Sequence, residues 1–165
     1  MVVYFQGGNV DRELKFKKFL KKMEDCEGCP MRSYGEPVFS GNILQEIMII
    51  GYEPESHNFS IDSKLIAKAS SLLTLYETEV KYGAYITYLY RCSLIIHGDL
   101  TEEAKKRCRR YLEEEFEIVK PKYLIVYDER VLKELVEDYE KIVNSKTQPV
   151  ECNVFDRKVK IYFIK

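Results

Sequence analysis

Tryptophan is absent from this 165-residue chain, glutamine is limited to Gln6, Gln45 and Gln148, and glycine and proline number only 8 and 5. So little glycine and proline excludes a collagen-like or low-complexity chain. Net charge is nearly absent too, at −1, so no global positive field draws the protein to polyanions. Apolar runs such as IMII and YLIVY fall far short of the ~20 residues that cross a bilayer, which predicts no membrane span. The start lacks the basic, apolar and small-residue segments of a secretory signal, so a cytoplasmic protein is expected. What remains is 45% hydrophobic and 32% charged, the balance of one globular domain covering residues 1–165, with MVVYFQGG within residues 1–9 read as a tag or a loose start.

Residues 11–23 place Leu14, Phe16, Phe19, Leu20 and Met23 near a helical period among Lys15, Lys17, Lys18, Lys21 and Lys22, predicting an amphipathic helix. Gly28 and Pro30 in CEGCP end it, and an irregular loop follows. The segments EIMIIGY, AYITYLYRC, KYLIVYDE and VKIYFIK are rich in β-branched and aromatic residues and read as strands. Helical patterns over 61–76, 101–119 and 129–143 alternate with them. The expected fold is therefore α/β, a three-layer αβα domain with a mainly parallel central sheet. VECNVF, a turn at DRK and VKIYFIK predict a hairpin at one sheet edge.

Ligands of such sheets sit beyond the carboxyl ends of the strands. GYEPESHNF, directly after the first strand, is accordingly the candidate site, with an ordinary connecting loop as the plainer reading. Cys26 and Cys29 form a C-x-x-C on a loop, and Cys92 ends the second strand. Cys108 shares the apolar face of its helix with Ala104, Tyr111, Leu112, Phe116 and Val119, while Cys152 is left over in the hairpin. Four converging thiolates suit tetrahedral zinc or an iron–sulfur cluster. If they do not converge, Cys92 and Cys108 are small core residues and the C-x-x-C is a redox pair or chance.

In order along residues 26–128 stand C-x-x-C, PVFSGN, GYEPE, YITYLYRC, Cys108 ahead of YL, and KPKYLIVYD. This series resembles the iron–sulfur branch of the uracil-DNA glycosylase superfamily, often called family 4, whose segments read roughly C-x-x-C, VxGxGN, GEAPG, YITNxxKC, a further Cys, and PKxIxxLG. The step from Cys92 to Cys108 matches the family's spacing. The resemblance implies a uracil-DNA glycosylase-like fold and a [4Fe–4S] cluster on Cys26, Cys29, Cys92 and Cys108, zinc being the alternative. It also implies a structural role for that cluster and a pocket at Gly51, Tyr52, Pro54, Leu65 and Tyr88.

The same comparison exposes departures. Family members use the acid of GEAPG, a Phe stacked on the base, the Asn of YITN and a His in a later HPS-type loop. Aligned without gaps, the first three positions here are Tyr52, Leu65 and Tyr88, and the sequence reaches Lys165 on the last strand. Tyrosine offers one hydroxyl on a bulky ring and cannot reproduce paired amide hydrogen bonds, so Tyr52 and Tyr88 are expected to meet and fill the pocket. Glu53, Glu55, His57 and Asp62 are the remaining acid–base candidates for excising a flipped base.

The basic residues Lys105, Lys106, Arg107, Arg109 and Arg110 surround Cys108 and, with the lysines of the first helix, are expected to contact phosphates. The alternative is a solvated helix face balanced by Glu113, Glu114 and Glu115. Strand alternation puts Tyr88 and Tyr90 on one face and Tyr85 on the other. The expected function is a non-catalytic, iron–sulfur module that binds DNA, single strands included, or a protein partner in a repair or replication assembly. The alternative is an active DNA glycosylase with non-standard catalytic residues.

Overall fold

Five consecutive residues, Ile47 to Gly51, form the strand around which the sheet is built. Ile49 is buried on one face, and Met48 and Ile50 are buried on the other. A strand covered on both sides has no polar alternation, which is why this segment is apolar throughout. The computed structural model describes residues 10–24, 26, 40–54, 63–73, 83–91 and 101–164. In chain order these give α1 (Val10–Glu24), β1 (Ser40–Gly41), β2 (Ile47–Gly51), α2 (Ser63–Leu73), β3 (Tyr85–Tyr88) and α3 (Glu102–Val119). They are followed by β4 (Tyr123–Val126), α4 (Glu129–Leu135), α5 (Tyr139–Val143), β5 (Val150–Val154) and β6 (Arg157–Phe163).

The six strands form one sheet in the order β1-β3-β2-β4-β6-β5. The inner four run parallel, with Ile49 opposite Ile86 on one side and Ile125 on the other. The edge strands β1 and β5 are antiparallel. One core cluster joins α1, α3, α4 and α5 to one sheet face through residues such as Phe16, Phe19, Leu112, Phe116, Leu132 and Ile142. On the other face Ile66 and Ala69 of α2 pack on Ile49, Ile86 and Ile125. The fold is thus α/β, a mostly parallel sheet with helices on both faces, as the alternating pattern predicts. Among the described residues, no helix is long and apolar enough to cross a membrane.

The predicted edge hairpin is present. Its two central residues, Phe155 and Asp156, both have positive φ, 47° and 60°, the backbone that matches the twist of paired strands in a two-residue turn. The Phe155 ring is seated edge-on against Phe116, with centroids 5.0 Å apart. Thr101 caps α3 by accepting a hydrogen bond from the Ala104 N–H at 3.2 Å.

Two expectations change. The helix predicted over 129–143 is two helices, because Val136 adopts an extended backbone (φ −136°, ψ 126°) and the chain restarts after Asp138. Alternation along β3 ends with the strand at Tyr88, so Tyr90 joins the cluster of Tyr85, on the opposite face from Tyr88.

At the far end of α3, Lys120 is exposed in the left-handed region (φ 54°, ψ 56°) and donates its N–H to the Phe116 carbonyl at 2.9 Å. Glycine adopts this conformation without a Cβ clash. Lys120→Gly should raise stability by about 0.5–1 kcal/mol, seen as a higher urea midpoint at unchanged m-value.

Candidate functional site

The winding of the sheet reverses between β2 and β4: the chain leaves β2 toward β3 on one side and leaves β4 toward β6 on the other. In a parallel sheet that reversal opens a crevice at the carboxyl ends of the two strands. Here aromatic rings occupy it. A Cβ on Gly51 would stand 2.6 and 2.7 Å from two carbons of the Tyr88 ring and 3.3 Å from the Tyr127 hydroxyl. Glycine is required because Tyr88, fully buried, lies directly on the backbone. Lys68 of α2 reaches over the Tyr127 ring, 5.3 Å from its centroid.

Tyr52 does not meet Tyr88. It packs against the core on the opposite sheet face, with its ring edge-on to Tyr90 at 5.1 Å and the Arg130 guanidinium 3.6 Å above its centroid. The expected pairing fails because the two side chains leave the sheet on opposite faces. The backbone is closed at the same point: Leu89 and Tyr90 donate N–H groups to the carbonyls of Gly51 and Tyr52 at 2.8 and 2.9 Å. Pro54 is buried beside them and Glu53 is half-buried. Asp128, the N-cap of α4, accepts from the Arg130 N–H at 2.9 Å and pairs with its guanidinium at 2.6 Å. Burial opposes its ionisation, but the two sets of hydrogen bonds from Arg130 and that residue's charge prevail and hold the carboxyl below the ordinary range. The side chain of Leu65 and the candidates Glu55, His57 and Asp62 lie outside the described residues.

Behind β3 lies a buried polar network with no counterpart in the sequence reading. Arg91 is 2% exposed and Glu115 of α3 is fully buried. The Arg91 Nη1 donates to Glu115 at 2.8 Å and to the Thr87 hydroxyl at 2.9 Å, and Nη2 donates to the second carboxylate oxygen. Tyr85 donates its hydroxyl to the same carboxylate at 2.5 Å. Burial disfavours the Arg91 charge, yet Glu115 outweighs it and keeps the guanidinium above its ordinary pKa. Burial, followed by the Glu115 charge, pushes the Tyr85 phenol well above 10. Glu115, expected on a solvated face, is therefore the internal partner of Arg91. Its signal is positional: it lies seven residues after Cys108, on the apolar side of the helix.

The cysteine-bearing segments approach one another around this network. Cys26 follows α1 with its N–H on the Met23 carbonyl at 3.2 Å, and nearby the Tyr111 hydroxyl donates to the Lys22 carbonyl at 3.4 Å. Burial first, and then Cys26, push the Tyr111 phenol up to about 12. Cys108 is half-buried on α3 and acts electrostatically on Tyr111, Tyr90 and Arg91. Phe19 of α1 packs edge-on to Tyr111 at 6.1 Å, with the Arg91 guanidinium 5.9 Å from its centroid. Cys29 and Cys92 lie outside the described residues, and among those described no three metal-ligating side chains gather. Cys152 is a half-buried edge-strand thiol raised in pKa by burial.

The five basic candidates do not form one patch. Lys106, Arg107 and Arg110 line a groove of about 490 Å³ with Lys22 of α1, Tyr111, Glu103 and Glu114. Lys105 pairs with Glu102 at 2.8 Å, and Arg109 turns to Glu134 and the Phe155 ring. Lys22 and Arg107 hold Glu114 and Glu103 at 2.6 and 3.0 Å, while exposed Lys106 and Arg110 have no carboxylate within 4 Å among the described residues. The chain matches no protein-family model, and no curated protein is detectably similar to it.

Two measurements test the network. Arg91→Met strands the Glu115 charge and should cost about 3–5 kcal/mol, whereas Arg91→Met/Glu115→Met removes both charges and should recover most of that loss in urea titrations. Tyr85→Phe should cost about 1.5–3 kcal/mol at neutral pH, where the phenol donates to a charged group. Because the native phenol ionises above the unfolded one, its contribution is complete below pH ~10 and is lost as pH rises beyond that. The difference between wild type and Tyr85→Phe should therefore shrink above pH ~10.

Proposed function

We propose that the protein is an iron–sulfur module on a uracil-DNA glycosylase-like scaffold that binds DNA without excising a base. The observation that carries this reading is the Tyr88 ring packed on Gly51, in the crevice where a flipped base would have to enter. The alternative, a glycosylase with substituted groups, would take its carboxylate from Glu53, Glu55 or Asp62, since Asp128 is engaged as a helix cap and in its pair with Arg130.

The donor set fits a thiolate-bound centre. Tyr111, on the helix of Cys108, donates to the carbonyl of Lys22 in the last turn before Cys26, and Arg91, the neighbour of Cys92, is bonded to Glu115 on that same helix. Soft sulfur donors suit an iron–sulfur cluster first and zinc second. When bound, such a centre cross-links segments distant in sequence without adding apolar core.

DNA binds along the α1–α3 groove, where Lys106 and Arg110 are available to phosphates and Lys22 and Arg107 can exchange their carboxylates for them. Phosphate contacts of this kind make affinity depend on salt.

Anaerobically purified protein incubated with uracil-containing single- and double-stranded DNA should generate no abasic sites above background. It should bind DNA with a steep salt dependence, and Lys106→Ala/Arg110→Ala should flatten the slope of log K against log salt by about two. Efficient uracil release sinks the non-catalytic reading, and absence of binding at low salt sinks the DNA-binding one.

A further inference from the structure

Arginine carries five N–H donors in a rigid planar fork. In Arg91 the two terminal nitrogens face Glu115 end-on and also reach Thr87, which leaves the Nε–H directed away from the carboxylate. The Nε atom is buried and, among the described residues, has no hydrogen-bond partner. A buried donor without an acceptor is rare, because the group loses its water and gains nothing in return. This donor belongs to the residue that immediately precedes Cys92. Cys108 lies about two turns before Glu115 on the helix that holds the guanidinium.

Metal-bound thiolates are hydrogen-bond acceptors, and four of them give an iron–sulfur centre a net negative charge. We infer that Arg91 donates its Nε–H to a thiolate sulfur of the cysteine centre, an assignment that rests on the cluster reading above. Glu115 is then the positioning residue: by holding both terminal nitrogens it fixes the plane of the fork and the direction of the remaining donor. Lysine cannot take this place, because one ammonium on a flexible stem does not offer the side donor and the carboxylate-facing pair in one plane. A hydrogen bond to sulfur withdraws electron density from the iron–sulfur bond, weakening the bond and raising the reduction potential.

Resonance Raman spectra and midpoint potentials of anaerobically prepared wild type, Arg91→Lys and Arg91→Met/Glu115→Met test the assignment. The double variant leaves no buried charge unpaired. Wild type should show Fe–S(Cys) stretching bands that shift on exchange into D2O. In both variants those bands should move to higher frequency and lose the D2O response, and the potential should fall. Iron-loaded variants with wild-type bands, D2O response and potential overturn the role of Arg91 and leave the cluster reading intact. An iron-free wild type overturns the cluster reading itself, and the assignment with it.

Discussion

A guanidinium removed from water must find its counter-charge inside the protein, and that requirement organises one whole side of this molecule. Arg91 stands where β3 has just ended, and Glu115 projects from near the C-terminal end of α3. Their contact sets the distance and rotation of the helix over the sheet. Thr87 and Tyr85 complete the carboxylate's hydrogen bonds from the strand, and Phe19 brings α1 against the guanidinium. A purely apolar contact would tolerate sliding of the helix along the strand, whereas a forked ion pair with two further donors has one satisfactory arrangement.

The crevice at the centre of the sheet follows a different logic. β2 ends in glycine so that a tyrosine from the neighbouring strand can lie on its backbone, and Tyr52 turns to the other face to be held by Tyr90 and Arg130. Rings therefore close the strand ends from both sides, while the groove lined by Lys106, Arg107 and Arg110 lies elsewhere, between α1 and α3. The α1–α3 groove and the topological switch point are thus separate places on the molecule.

Periodicity made the architecture legible. IMII and YLIVY read as strands covered on both faces because burial removes polar alternation, and the stripe of Phe16, Phe19 and Met23 gave α1. The VECNVF hairpin was readable from turn chemistry. The internal charge was marked by helical position alone. Glu113, Glu114 and Glu115 form a uniform acidic run in which only the third falls on the apolar side of α3, and packing makes it the partner of Arg91. The expected meeting of Tyr52 with Tyr88 failed because Gly51 is the register partner of Tyr88, so alternation sends Tyr52, the next residue, to the other face. The division of the basic run into a groove-lining group and a group turned to α4 is likewise a matter of helix rotation, which composition does not encode.

The docking of α1 has a consequence for biosynthesis. Its Phe16 and Phe19 are made early, yet their aromatic neighbours are Tyr85 and Tyr111, which leave the ribosome only after β2 and α2. Until then the helix carries an uncovered apolar stripe, with several lysines on its remaining surface to keep it in water. Vectorial synthesis thus makes the first helix one of the last to be seated, and a nascent chain paused before α3 is the form most exposed to chaperones.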